Sequence, residues 1–276
     1  MKIGVIGVGN VGSTVAYTLI LENLVTDLVL IDTREQLLHA ETLELRDTAK
    51  ALSRKINFIN NDYSALSDAD IVVFAAAPIS HAASSNRLDE LPFVKTIVED
   101  VAEKLKSCGF PGVIISITNP CDVVAWYLQQ QTGFSTDRVI GSGGVIDTAR
   151  LQDRANNDNC LIIGEHGDSQ VAVGNVTTEA LNAAKGTGWE VYSAKNYTNY
   201  AIAACTAKII KTIAGILDKE LSISTYDKEE CAYYSAPAKL CKSGVVARNL
   251  PILNEAERNA LDKSIALIKN TFAHIK

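Results

Sequence analysis

The chain has 276 residues, 47% hydrophobic and 21% charged, which is the composition of a globular protein able to bury its own core in one large domain or two modest ones. Lys and Arg number 26 against 32 Asp and Glu, a net charge of −6 that argues against a surface built to coat nucleic acid or an anionic membrane. Six cysteines without a Cys-x-x-Cys pair or a histidine cluster argue against a metal centre and read as reduced, packed thiols of a cytoplasmic protein.

Residues 2–6 read as a strand, 12–22 as a helix and 28–31 as a second strand. The uncharged run 3–21 is too broken by Gly4, Gly7, Gly9, Asn10 and Gly12 to be a signal-peptide core. An amphipathic helix is expected over 34–52, short apolar strands at 56–59 and 71–74, a helix over 87–108, a strand at 113–117 and a helix over 122–131. Apolar strands alternating with helices predict a doubly wound parallel sheet of Rossmann type, covered on both faces. After about residue 144 the rhythm changes to paired short strands at 160–163 and 171–176, a helix over 199–217, antiparallel strands at 222–226, 232–236 and 245–247, and a closing helix over 254–272. Asn254 with Glu257 three residues on forms a capping box for that last helix. The organisation expected is α/β, with a dinucleotide-binding domain over 1–143, a second mixed α/β substrate domain over 144–276, and a cleft between them. No further stretch is long and apolar enough to span a bilayer.

Gly7-Val8-Gly9-Asn10-Val11-Gly12 is a G-x-G-x-x-G loop between the first strand and the first helix. Gly7 suits the tight turn, Gly9 a close approach of backbone to a pyrophosphate, and Gly12 the packing of helix on strand. The helix start offers free N–H groups and partial positive charge to the anion. Asp32 follows 20 residues after Gly12 at the end of the second strand, where a carboxylate hydrogen-bonds adenosine ribose hydroxyls and repels a 2′-phosphate. The loop and Asp32 together indicate NAD; Arg34, at a helix start, reads as a solvated side chain.

Of four histidines, His39 and His274 read as surface residues, whereas His166 stands in Gly164-Glu165-His166-Gly167-Asp168-Ser169 just after a strand. Asp147 and Arg150, three apart on a helix, share a face. They make either a surface ion pair or two functional groups, Asp147 orienting an imidazole and Arg150 gripping a carboxylate with its planar fork. Asn119-Pro120 ends the strand at 113–117, at the sheet edge where ligand crevices lie.

The ordered set of Gly7–Gly12, Asp32, Asn119-Pro120, Asp147-Thr148-Ala149-Arg150 and Gly164-Glu165-His166-Gly167 resembles the L-lactate/malate dehydrogenase family over nearly the whole chain, with Val139-Ile140-Gly141 and Tyr197-Thr198-Asn199 in keeping. The resemblance implies an NAD-dependent oxidoreductase acting on a small 2-oxo or 2-hydroxy acid. It implies that His166 is the proton donor with Asp147 as its partner, and that Arg150 binds the substrate carboxylate. It implies further that Arg87 closes over the substrate and polarises its carbonyl, that Asn119 touches substrate and cofactor, that Thr198 lines the side-chain pocket, and that Tyr63 lies beside the adenine. Family members are homodimers or homotetramers, which the resemblance extends to this chain.

Three departures bear on the substrate. Residues 75–86 hold no Arg or Lys, and His81, six residues before Arg87, occupies the position that the resemblance gives to the substrate selector. A second substrate carboxylate would lack its counter-charge there, so a monocarboxylic acid such as pyruvate is expected, and L-lactate dehydrogenase activity with it. The alternative is a dehydrogenase for branched 2-oxo acids, similar to L-2-hydroxyisocaproate dehydrogenases; a malate dehydrogenase or a non-catalytic NAD-binding module fits less well. The chain is short between Arg154 and Cys160, either through a deletion or through joined segments. Gln152 and Asn159 stand where sugar-bisphosphate-activated members carry Arg and His, and supply no cation.

Overall fold

A computed structural model describes residues 1–78 and 91–275; His81 and Arg87 lie outside the described residues. The first part of the chain runs β1 (Lys2–Ile6), α1 (Asn10–Leu21), β2 (Asp27–Ile31), α2 (Glu35–Ala51), β3 (Asn57–Asn60), β4 (Ile71–Phe74), α3 (Leu91–Ser107), β5 (Val113–Ser116), α4 (Cys121–Thr132), β6 (Val139–Gly141) and α5 (Gly144–Ala155). The second runs β7 (Leu161–Ile163), β8 (Val171–Val173), α6 (Thr178–Lys195), α7 (Tyr200–Ile213), β9 (Leu221–Asp227), β10 (Ala232–Cys241), β11 (Gly244–Arg248) and α8 (Glu255–Ile275).

Six strands pair in parallel in the order β3-β2-β1-β4-β5-β6, the doubly wound arrangement whose strand order reverses between β1 and β4. Alternation along each strand feeds two cores: Ile71 and Val73 of β4 pack on one face, Val72 and Phe74 on the other. Helices α1 and α7 cover the first face, and α3, α4 and α8 the second. Against the second, Trp126 of α4 stacks on Phe272 of α8 with ring centroids 3.8 Å apart. The sheet does not end at β6. Gly141 pairs antiparallel with Ser224 of β9, and β10 and β11 carry the sheet to nine strands. The 143/144 boundary therefore falls at the start of α5, while the sheet itself is continuous.

The capping box closes as expected: Glu257 N–H donates to Asn254 Oδ1, and Asn254 N–H to Glu257 Oε2, both at 2.9 Å. Three elements differ from the sequence reading. Helix α6 was not anticipated, because only Ala180 and Ala184 on it are buried and Gly186 and Gly188 interrupt its pattern. Strand β10 runs past Pro237 to Cys241, five residues beyond the expected end. The last of α7 stops at Ile213, where Gly215 at φ +74° turns the chain. Between Arg154 and Cys160, α5 ends at Asn156 in the left-handed conformation, and Gln152 Nε2 donates to the Asp158 and Cys160 carbonyls. No helix among the described residues is long and apolar enough to cross a membrane.

Candidate active site

The phosphate loop joins β1 to α1 at the carboxyl edge of the sheet. Gly7 has φ +90°, and a Cβ there would stand 2.6 Å from the Ala76 amide nitrogen. At Gly12 a Cβ would meet the Gly7 carbonyl oxygen at 1.8 Å, so the glycine is required by the loop itself as much as by the strand beneath. Gly9 is different: the nearest atom to a Cβ there is the Arg34 guanidinium at 3.3 Å, and the loop is otherwise open. The first turn of α1 holds no acidic side chain. An open cradle at a helix start with no competing anion fits a dinucleotide pyrophosphate.

Asp32, just past β2, is buried at 8% exposure. Its Oδ2 accepts Val8 N–H at 2.9 Å, and its Oδ1 accepts Arg34 N–H at 2.9 Å. Arg34 is not a free solvated side chain. Its Nε and Nη2 donate to the two carboxylate oxygens at 2.9 and 2.8 Å. Burial alone would raise the Asp32 carboxyl; the Arg34 and Val8 hydrogen bonds override it and hold it below the usual range. Tyr63 sits on a 3-10 turn beside α3, its ring half-buried beneath Lys104 Nζ at 5.2 Å, and does not line the cleft described next.

A cleft of about 730 Å³ opens between the carboxyl ends of the parallel strands and helices α5, α6 and α7, and it gathers Val11, Asn119, Asp147, Arg150, His166 and Thr198. His166 Nδ1 lies 2.6 Å from Asp147 Oδ2. The other oxygen of the same carboxylate is 3.6 Å from Arg150 Nη1. Asp147, 4% exposed in the first turn of α5, thus stands between the imidazole and the guanidinium. The sequence alternative of a surface ion pair does not hold.

The backbone that carries His166 is tied at three successive residues. Gly164 exchanges two 2.8 Å hydrogen bonds with Ser235 of β10. Glu165 N–H donates to Ser264 Oγ of α8, and His166 N–H to Asp122 Oδ2 of α4, each at 2.8 Å. Gly164 adopts φ +86° to make the turn. Glu165 in turn accepts from Ser169 N–H and Oγ, closing the loop behind the histidine.

Several contributors were invisible in the sequence. Asp122 is 2% exposed, and burial pushes its carboxyl up to about 6. Its Oδ1 and the facing Ser224 Oγ both lack a hydrogen bond of good geometry among the described residues. Lys185, Trp189 and Tyr192 of α6 line the cleft, and Gly188 leaves the Arg150 guanidinium uncovered, since a Cβ there would lie 3.3 Å from Nη1. Cys121 also faces the cleft, but burial pushes its thiol up to about 12, which makes it an inert packed group. Asn199 Nδ2 donates to Thr14 Oγ1 at 2.8 Å, joining the start of α7 to α1. Among the described residues no group of three His, Cys, Asp or Glu side chains is arranged to hold a metal ion.

Residues 1–141 match the family model for the lactate/malate dehydrogenase NAD binding domain, and residues 178–276 match that for the lactate/malate dehydrogenase alpha/beta C-terminal domain. The chain is 30% identical over 310 residues to an L-lactate dehydrogenase 2 of Listeria innocua, with 99% of each chain covered. Its fold is similar to that of a lactate dehydrogenase from a Medee basin deep-sea metagenome library, at TM-score 0.90, 28% identity and coverage of 99% of this chain and 98% of the other. It is equally similar to the malate dehydrogenase of Archaeoglobus fulgidus solved with NADH, at TM-score 0.91, 27% identity and coverage of 100% and 99%.

Proposed function

This chain belongs to the lactate/malate dehydrogenase family, and on that premise we propose that it is an NAD-dependent L-2-hydroxy acid dehydrogenase of the L-lactate dehydrogenase type, reducing a monocarboxylic 2-oxo acid such as pyruvate. The observation that carries this reading is the Asp147 carboxylate set between His166 and Arg150 inside the cleft. A protein that only bound NAD would need none of the three.

Bound NADH supplies the hydride. Gly7, Gly9, Asn10, Val11 and Gly12 receive its pyrophosphate, Asp32 its adenosine ribose, and Asn119 the region between cofactor and substrate. Tyr63 belongs to the adenine side. Arg150 binds the substrate carboxylate through two parallel N–H···O bonds. Asp147 engages His166 Nδ1, which fixes the ring and leaves Nε2 to deliver the proton to the carbonyl oxygen. It also stabilises the imidazolium that holds that proton. Arg87 covers the reacting carbonyl, and His81 and Thr198 bound the substrate side chain. The chain divides at about residue 143 into a cofactor half and a substrate half.

A second reading, a branched-chain 2-oxo acid as substrate, is favoured by Trp189, Tyr192 and Ile202, which give the cleft an aromatic and aliphatic wall. The six cysteines are all free thiols, in keeping with a cytoplasmic enzyme. We read the assembly as a homodimer or homotetramer, which light scattering after gel filtration checks. The test of function is NADH oxidation with pyruvate, 2-oxoisocaproate and oxaloacetate. Pyruvate should exceed oxaloacetate in kcat/KM by more than ~10-fold, since an unpaired second charge in a closed site costs at least ~1.4 kcal/mol. Preference for oxaloacetate would overturn the substrate assignment, and preference for 2-oxoisocaproate would replace pyruvate with the branched acid.

A further inference from the structure

We propose that Arg34 converts the adenosine end of the dinucleotide site into one that also accepts a 2′-phosphate, so that the protein binds NADP(H) as well as NAD(H). The inference rests on the reading above that Asp32 faces the ribose.

An isolated buried carboxylate at that place would repel a 2′-phosphate and favour NAD. Asp32 is not isolated. A carboxylate offers about four lone-pair sites, and four donors meet this one: Val8 N–H, Arg34 N–H, Arg34 Nε and Arg34 Nη2. Ribose hydroxyls must therefore compete with the guanidinium for Asp32. The negative charge that would exclude a phosphate is met by a positive one 2.8 Å away.

Two further features turn the guanidinium toward the ligand. Arg34 is 42% exposed at its side chain while Asp32 is 5% exposed, so the cation forms the outer layer of the pair. Its Nη2 lies 3.3 Å from where a Cβ on Gly9 would stand, which sets it over the glycine turn that the dinucleotide crosses. Nε and Nη2 are spent on Asp32, but Nη1 has no hydrogen bond among the described residues. A planar guanidinium can hold a carboxylate with one edge and a phosphate with another.

The discriminating experiment is equilibrium titration by NADH fluorescence of NADH and NADPH, with ADP and 2′,5′-ADP as competitors, into wild type, Arg34→Gln and Asp32→Ala. Wild type should bind NADPH within about tenfold of NADH. Arg34→Gln should lose about tenfold or more in NADPH affinity, the scale of a charge-assisted phosphate contact, while NADH binding holds or tightens as Asp32 is released. A merely structural role for Arg34 would weaken both cofactors together. An unchanged NADPH-to-NADH ratio in Arg34→Gln, or wild type that fails to bind 2′,5′-ADP, overturns the proposal. If Asp32→Ala leaves NADH affinity unchanged, the ribose assignment itself falls, an outcome separable from the role of Arg34 because catalysis enters none of these measurements.

Discussion

Replacing Asp122 with Asn should stabilise the protein at alkaline pH. The carboxyl is 2% exposed, accepts His166 N–H at 2.8 Å, and is pushed by burial from 3.8 up to about 6. The unfolded chain ionises this group at its ordinary value, so the native state holds the proton more tightly. The stability associated with that proton is complete below pH 3.8 and is lost as pH rises through about 6. A gap of ~2 pH units corresponds to ~3 kcal/mol. Asparagine keeps an oxygen for His166 N–H and presents an NH₂ to Ser224 Oγ, with no charge to bury. The variant should therefore gain up to ~3 kcal/mol at pH 8, or ~5–10 °C in Tm for a chain of this size, and the gain should vanish toward pH 4. Calorimetry or urea melts of both proteins from pH 4 to 8 give the comparison. A difference that does not change with pH, or a less stable variant at pH 8, would refute the argument and show that neighbouring charges, His166 foremost, compensate the ionised carboxylate.

His166→Gln should keep NADH affinity in a fluorescence titration and lose ~10²–10⁴ in kcat, the usual scale for losing a general acid; near-full turnover would sink its role. Arg150→Lys should raise the KM for pyruvate far more than the Kd for NADH, because an ammonium cannot reproduce a bidentate grip, and equal effects on both would point to a structural part for Arg150. Phe272→Ala, removing the ring stacked on Trp126, should cost ~3–5 kcal/mol in urea unfolding; a loss under ~1 kcal/mol would mean that α8 contributes little to the second core.

What was legible in the sequence was local or ordered along the chain. The phosphate loop announces itself because three glycines serve one turn, and the helix and strand around it obey different periods. Asp147 and Arg150 share a helix face through their spacing alone. What escaped was set by distant partners. Asp122 reads as an ordinary acidic residue in a helix first turn, and its bond to a backbone 44 positions away leaves no trace in composition. Arg34 reads as solvent-facing, as arginines at helix starts commonly are, until Asp32 is seen beneath it. Helix α6 escaped because a helix packed mostly through small residues carries no apolar stripe. Strand β10 reads as ending at residue 236, whereas the pairing with β9 runs through Pro237 to Ala238.

The three ties on the histidine loop also draw on partners spread along the chain. Asp122 and the loop bearing His166 precede in the chain Ser264, whose hydroxyl holds Glu165 N–H. The parallel strands and the phosphate loop are complete by residue 141. Chain order thus places the residues of the dinucleotide cradle ahead of the last anchor of the imidazole, and α8, which holds that anchor, also covers the second face of the sheet.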